Sequence, residues 1–173
     1  MMKTVVLVVH PNLKDSRVNA ALAQGIADLP NVEVRYLYDL YPDGKIDVAV
    51  EQAALTQADR IVLQFPMYWY SSPPLLKQWQ DDVLTYGWAY GSKGKALLGK
   101  ELMIAISLGA PEADYQVEGE MGHTVDEILL PFEIMANYTN MKYIKPFVTG
   151  GCLAIQTEQI TAQVERYKAV LAN

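Results

Sequence analysis

Cysteine is nearly absent from this chain: Cys152 is the single one in 173 residues. That excludes an intramolecular disulfide and fits a reducing compartment, so a cytoplasmic location is expected. Histidine occurs only at positions 10 and 123, with no recognisable metal-ligand spacing, so no metal centre is expected. Clusters of Lys and Arg are missing too. With a net charge of −6 and a pI near 4.9, nucleic acid is not expected as the main partner, because neutralising phosphates takes concentrated cations. No apolar run approaches the roughly 20 residues that cross a bilayer. The opening run, Val5 to Val9, is short and passes straight into His10 and Pro11, unlike a signal peptide. Direct membrane insertion is therefore not expected. A Gly-x-Ser-x-Gly nucleophile elbow, internal repeats and low-complexity tracts are also lacking.

What is there reads as one domain over residues 1–173, large enough to build a core without metal or disulfide support. Residues 3–10 are a near-continuous apolar strand of the kind buried on both faces of a parallel sheet. Residues 31–38 alternate, as a strand nearer an edge does. Further strands fall at 60–65, 101–107 and 141–149, the last demoted in part to an edge by Pro146. Helices are expected after Ser16, from Asp47 to Gln57, from Pro74, after the capping box Thr124–Glu127, and from Thr157 to Leu171. Pro131 is expected to interrupt the hydrogen-bond ladder of the helix that contains it, either tolerated in the first turns or marking a kink. Five strands alternating with five helices give a doubly wound α/β fold, helices on both faces of a parallel sheet.

Three strand ends carry candidate chemistry. After the first strand, Ser16 is a plausible N-cap with Asn19 three positions on, and a helix N-terminus there offers free N–H groups to an anion. His10 would add a donor and Arg17 a cation; the alternative is plain capping with Arg17 on the surface. After the third strand come Pro66, Met67, Tyr68, Trp69 and Tyr70, then Pro73 and Pro74, which suit a helix start. Three aromatics in succession on a short loop point to a flat ligand or a partner chain, the alternative being a plug for the core. After the fourth strand, Ser107, Leu108, Gly109 and Ala110 make a small-residue turn that a ligand can approach closely. In a doubly wound sheet such strand ends border one crevice. A phosphate site beside an aromatic wall describes a phosphorylated flat heterocycle, and FMN fits; FAD, sharing the ring and first phosphate, stays open. Trp79 reads as a core anchor and Cys152 as structural. The loop over residues 84–100, with glycines at 87, 91, 94 and 99, offers Trp88 and Tyr90 as exposed anchors for a partner; the alternative is that it folds back on its own domain.

The stretch from Phe65 through Trp79, continued by Gly87-Trp88-Ala89-Tyr90-Gly91, resembles the flavin-contact loop and following helix of the NAD(P)H:quinone oxidoreductases of flavodoxin-like fold. That family includes the flavoprotein ancillary subunits of glutathione-gated potassium efflux systems. The resemblance covers nearly the whole chain and implies a flavodoxin-like, five-stranded sheet of order 2-1-3-4-5. It also implies a flavin held at the phosphate by His10, Ser16, Arg17 and Asn19, and at the ring by Pro66, Met67, Tyr68, Trp69, Tyr70, Ser107, Leu108, Gly109 and Ala110. Tyr115 matches the family's catalytic tyrosine beside the flavin pyrimidine edge. NADPH or NADH would be the donor and a quinone-like molecule the acceptor, reacting in turn against Trp69. A homodimer is implied, the 84–100 loop crossing the interface and Tyr90 closing the neighbouring site. Two departures stand out. Ala110 replaces a common second glycine, and Met121 falls where the family has the histidine that works with the tyrosine; His123 lies two residues further on, and both are candidates for the substrate side. A potassium efflux transporter is a partner in the regulatory alternative, and a one-electron carrier like flavodoxin is the other.

Overall fold

The computed structural model describes residues 2–172. Its strands are Thr4–Val8 (β1), Val32–Tyr36 (β2), Arg60–Pro66 (β3), Glu101–Ser107 (β4), Lys142–Tyr143 (β5) and Phe147–Thr149 (β6). Its helices are Arg17–Ile26 (α1), Leu37–Leu40 (α2), Val48–Gln57 (α3), Pro74–Val83 (α4), Val125–Tyr138 (α5) and Thr157–Ala172 (α6). The order is β2-β1-β3-β4-β5, with β6 also paired to β4, and every ladder is parallel. This is the flavodoxin-like order.

The fifth strand is split in two. Pro146 has no N–H for the ladder, so pairing to β4 stops after Tyr143 and resumes where Phe147 meets Ala105. The second strand is shorter than the alternation predicts: after Tyr36 the chain turns into α2, which buries Leu37. Conversely, α5 runs unbroken through Pro131. Pro131 lies on the exposed side, where water can take the carbonyl that its missing N–H leaves free.

Alternate strand residues face opposite layers. Val5, Leu7, Ile61, Leu63, Leu102 and Ile104 pack under α3, α4 and α5, against Leu55, Leu76, Trp79 and Phe132. Val6, Val8, Val62, Met103 and Ala105 pack under α1 and α6, against Leu22, Ile26, Tyr167 and Leu171. Burial on both faces is why these strands read as unbroken apolar runs.

One charge lies inside the first layer. Glu51 of α3 is fully buried, among small apolar neighbours that gave no sign of it. Its carboxylate accepts from Trp79 Nε1 at 3.0 Å and Tyr41 Oη at 2.7 Å, and pairs with Arg35 of β2. Burial, and then the bond to Glu51, push the Tyr41 hydroxyl up to about 12. This cluster ties β2, α3 and α4 together with every carboxylate oxygen engaged. Glu51→Ala leaves the largely buried Arg35 guanidinium with only the exposed Glu33 and the Trp79 and Tyr41 donors without an acceptor, and is expected to cost about 3 kcal/mol. Urea unfolding followed by tryptophan fluorescence checks this, and a loss below about 1 kcal/mol would contradict it.

Candidate functional site

Register brings three strand ends level. Val8 pairs with Gln64 and Gln64 with Ala105, while Pro66 pairs with Ser107 and Ser107 with Thr149. Beyond them each chain turns away and leaves backbone donors behind.

At the end of β1, His10 Nδ1 accepts from Asn12 N at 3.0 Å. That bond fixes the proton on Nε2, which can donate outward. Burial lowers the pKa of this imidazole from its ordinary value, so it is neutral at pH 7. Ser16 caps α1, its Oγ accepting from Asn19 N at 3.2 Å. The N–H groups of Arg17 and Val18 donate to no acceptor among the described residues, so the helix start presents two free donors and its dipole. Arg17 itself turns towards α6, donating to Ile155 O at 3.1 Å and Thr157 Oγ1 at 3.3 Å. Its donors tether the start of the C-terminal helix. Asn19 is 3% exposed and does not complete a capping box. Its Nδ2 donates to Ser107 Oγ at 2.9 Å, and its carbonyl accepts from Gln64 Nε2 at 3.0 Å. Asn19 Oδ1, Gln64 Oε1 and Thr149 Oγ1 are buried without partners.

At the end of β3, Met67 N donates to Ser107 O at 2.9 Å. Tyr68 and Ser71 then exchange both backbone bonds, at 3.1 and 2.9 Å, around Trp69 and Tyr70 with φ of 47° and 59°. Two positive φ values in a row are those of a type I′ turn, which favours Asn-Gly; for aromatics the conformation costs roughly 1–2 kcal/mol per residue. The strain holds Trp69 out at 93% exposure, and the N–H groups of Trp69 and Tyr70 have no acceptor among the described residues.

At the end of β4 the pattern repeats. The carbonyls of Leu108, Gly109 and Ala110 accept from Cys152 N, Leu153 N and Gly151 N at 2.9, 3.3 and 2.8 Å. The N–H groups of Gly109 and Ala110 donate to no acceptor among the described residues. Neither residue has positive φ, so alanine at 110 costs the turn nothing. Leu153, absent from the sequence reading, packs 3.4 Å from where a Gly109 Cβ would stand.

Tyr115 is 4% exposed; burial raises the pKa of its hydroxyl, which donates to Met67 Sδ at 3.8 Å. Met121 N is held by Asp114 O at 2.9 Å, and Met121 Sδ accepts from Tyr70 Oη at 3.6 Å. His123 lies apart from that group, 70% exposed, with Nδ1 3.6 Å from Glu127 Oε2 in the capping region of α5. Trp88 and Tyr90 are only half-exposed. The outermost ring of the 84–100 loop is Tyr86, and Tyr90 sits between Tyr86 and Tyr138 with centroids 5.7 and 5.3 Å away. With Tyr70, Ser71, Phe132 and Tyr138 it lines a groove of about 390 Å³. Among the described residues no group of three or more His, Cys, Asp or Glu could hold a metal, and no helix is long and apolar enough to cross a membrane.

Gln64 escaped the sequence reading, although one polar residue inside the run 61–65 was its signal. The crevice as built has donors for a phosphate, orphaned buried acceptors for hydroxyls, and free N–H groups along a flat edge. Those features fit FMN.

A protein-family model described as flavodoxin-like fold matches residues 2–171, and the chain belongs to that family. The Bacillus subtilis protein YrkL, named an uncharacterized NAD(P)H oxidoreductase, is 50% identical over 165 residues, 95% of either protein. The Klebsiella aerogenes protein KefF, named a glutathione-regulated potassium-efflux system ancillary protein, is 42% identical over 164 residues, 95% of this chain and 92% of that one. Three solved structures superpose closely. One, described as a thermophilic tryptophan halogenase from Streptomycin violaceusniger, has a TM-score of 0.96 at 44% identity, covering 98% of both chains. General stress protein 14 of Treponema denticola, in complex with FMN, has 0.92 at 44%, covering 98% and 97%. A protein of P. pentosaceus named NADPH-quinone reductase has 0.91 at 35%, covering 99% of both.

If strain in the aromatic turn serves the site rather than the fold, Trp69→Asn should raise the melting temperature of the flavin-free protein. The expected gain is about 2–4 °C, the equivalent of roughly 1 kcal/mol at this size. Calorimetry showing a fall instead would mean that packing, not a ligand, holds Trp69.

Proposed function

We propose that the crevice binds FMN and that the chain is an NAD(P)H:quinone oxidoreductase working by ping-pong two-electron transfer. The observation that carries this is the set of unpaired backbone donors, two at each of three strand ends, converging on one edge of the sheet. The helix start with Ser16, Asn19, Arg17 and His10 Nε2 holds a phosphate. The orphaned Asn19 Oδ1 and Gln64 Oε1 suit the hydroxyls of a ribityl chain. The 66–70 loop and the 107–110 turn hold the ring. FMN bound there supplies hydride acceptance and release; the protein supplies position and charge. The N–H groups of Gly109 and Ala110 and the Tyr115 hydroxyl stabilise negative charge, as oxyanion-hole donors do. Trp69 walls the place where nicotinamide and then the acceptor stack. NAD(P)H oxidoreductase and NADPH-quinone reductase names among the relatives, and FMN in the Treponema structure, support this reading.

The homodimer and a cytoplasmic location belong to the same proposal. Exposed Leu130, Ile134 and Tyr138 of α5 join Tyr86 beside the groove, an apolar face of the kind an isologous contact covers. A second reading, an ancillary subunit of a potassium efflux system, is favoured by the KefF relative. Co-purification with such a transporter would support it.

Heating the purified protein should release a yellow ligand that chromatographs as FMN. A preparation that stays colourless after saturation with FMN or FAD contradicts the proposal. Tyr115→Phe is expected to slow flavin reduction by NAD(P)H roughly tenfold to a hundredfold with flavin affinity nearly unchanged, since one donor of several is lost. Stopped-flow reduction at the wild-type rate would make Tyr115 a loop filler. Sedimentation is expected to give a dimer at micromolar concentration, and a fully active monomer would remove the composite site.

A further inference from the structure

A second cavity opens on the β2 side of the loop after β1. Of the residues assigned above to the flavin, only His10 lines it. Its volume is about 420 Å³, within the range of small-molecule sites. Three elements build it. The first wall is the loop after β1, where Leu13–Asp15 form a single 3-10 turn closed by Ser16 N donating to Leu13 O at 2.9 Å. Asn12 Nδ2 braces that turn by donating to Asp15 Oδ2 at 2.5 Å. Leu13 packs into the layer under α1 and α6, while Lys14 stays exposed at the cavity. The second wall is α1, which offers Ala20 and Gln24, four residues apart and so on one face. The third is the end of β2 with α2, which offers Tyr36, Tyr38 and Asp39.

The polar groups of this cavity are unspent. Among the described residues Lys14 and Asp39 form no ion pair, with each other or with a third group. Tyr36 and Tyr38 are half-buried and pack on opposite layers of the core. Neither touches another aromatic ring among the described residues. A cation and a carboxylate left unpaired in one cavity suit a ligand that brings negative charge to the first and hydrogen-bond donors to the second. Free tyrosine faces suit a flat ring. A lone phosphate would use Lys14 and be repelled by Asp39. A nucleoside phosphate uses all four: phosphate, sugar hydroxyls and base.

The cavity flanks the crevice on both sides of its mouth. Tyr38 Oη accepts from Leu75 N at 3.5 Å, in the first turn of α4, which follows the loop that carries Trp69. His10, on the other side, is shared with the phosphate site at the start of α1.

We propose that this cavity anchors the adenosine diphosphate half of the nicotinamide donor. The base lies against Tyr36 and Tyr38, ribose hydroxyls donate to Asp39, and a phosphate pairs with Lys14. The inference rests on the oxidoreductase reading, which puts the nicotinamide at Trp69. A quinone has no adenylate, so donor and acceptor share the place at Trp69 while only the donor draws on this remote binding energy. The adenylate of FAD carries the same chemistry, and the test separates the two.

The first arm needs no turnover. ADP titrated into FMN-loaded protein carrying ring-13C tyrosine should shift the Tyr36 and Tyr38 signals saturably. Lys14→Glu should weaken that binding about tenfold, the loss of one charge-assisted contact. Shifts that do not saturate, or equal binding in Lys14→Glu, would overturn the site. The second arm follows flavin reduction by stopped flow with NADPH and with reduced nicotinamide mononucleotide, which lacks the adenylate. With NADPH, Lys14→Glu and Tyr36→Leu should each raise the half-saturating concentration about tenfold at an unchanged limiting rate. With the mononucleotide neither variant should differ from wild type. Equal losses with both donors would overturn the assignment. So would a Lys14→Glu protein that loses affinity for FAD but not for FMN, because the cavity would then hold the cofactor's adenylate. If wild type itself fails to oxidise NADPH, the oxidoreductase reading fails, while the ADP titration still decides whether the cavity takes an adenylate.

Discussion

Parallel pairing in register is the constraint on which the rest depends. It brings the carboxyl ends of β1, β3 and β4 to one edge, and each chain must turn away there without a strand to receive its next N–H groups. Among the described residues, Arg17 and Val18, Trp69 and Tyr70, and Gly109 and Ala110 each keep a pair of unused donors. The carbonyls of the β4 turn are occupied by the loop after β6, so the turn can present only its donors. Positive partial charge accumulates at one edge without any cluster of basic side chains, which is how a chain of net charge −6 can still receive a phosphate.

Holding the edge in place takes polar groups inside the protein. Gln64, Asn19 and Ser107 form a buried chain across β3, α1 and β4, with Asn19 Oδ1 and Gln64 Oε1 left unpartnered. On the other face Glu51 joins β2, α3 and α4 through Arg35, Tyr41 and Trp79, and α4 begins where the aromatic turn ends. Both clusters fix helices relative to strand ends, whereas the apolar layers alone would tolerate small slides. The left-handed Trp69 and Tyr70 are the local exception, strained where the site is most exposed.

Much of this was legible in the sequence. Apolar strand runs, the Ser16 cap, the Thr124–Glu127 capping box and Pro74 at a helix start all have local causes, and the structure shows each. The resemblance supplied the strand order. What stayed hidden was non-local. Nothing near Arg17 says that its guanidinium is used by Ile155 and Thr157, well over a hundred residues away. Nothing in its own helix marks Glu51 as buried, because Arg35, Tyr41 and Trp79 come from other parts of the chain. Trp88 and Tyr90 were expected to be exposed, but both are partly buried, Tyr90 against Tyr138, and Tyr86 is the exposed ring. Pro131 was expected either to be tolerated near the start of α5 or to mark a kink, and the helix runs on through it. The crossing of the two tyrosine–methionine contacts is likewise a property of two loops meeting, not of either sequence.

The central claim is that this edge holds FMN for two-electron exchange between NAD(P)H and a quinone. Anaerobic mixing of the FMN-loaded protein with one equivalent of NADPH tests it most directly. The yellow flavin absorbance should bleach before any acceptor is present, and return when a benzoquinone is added. Colour that persists until NADPH and quinone are present together would contradict the shared, alternating site.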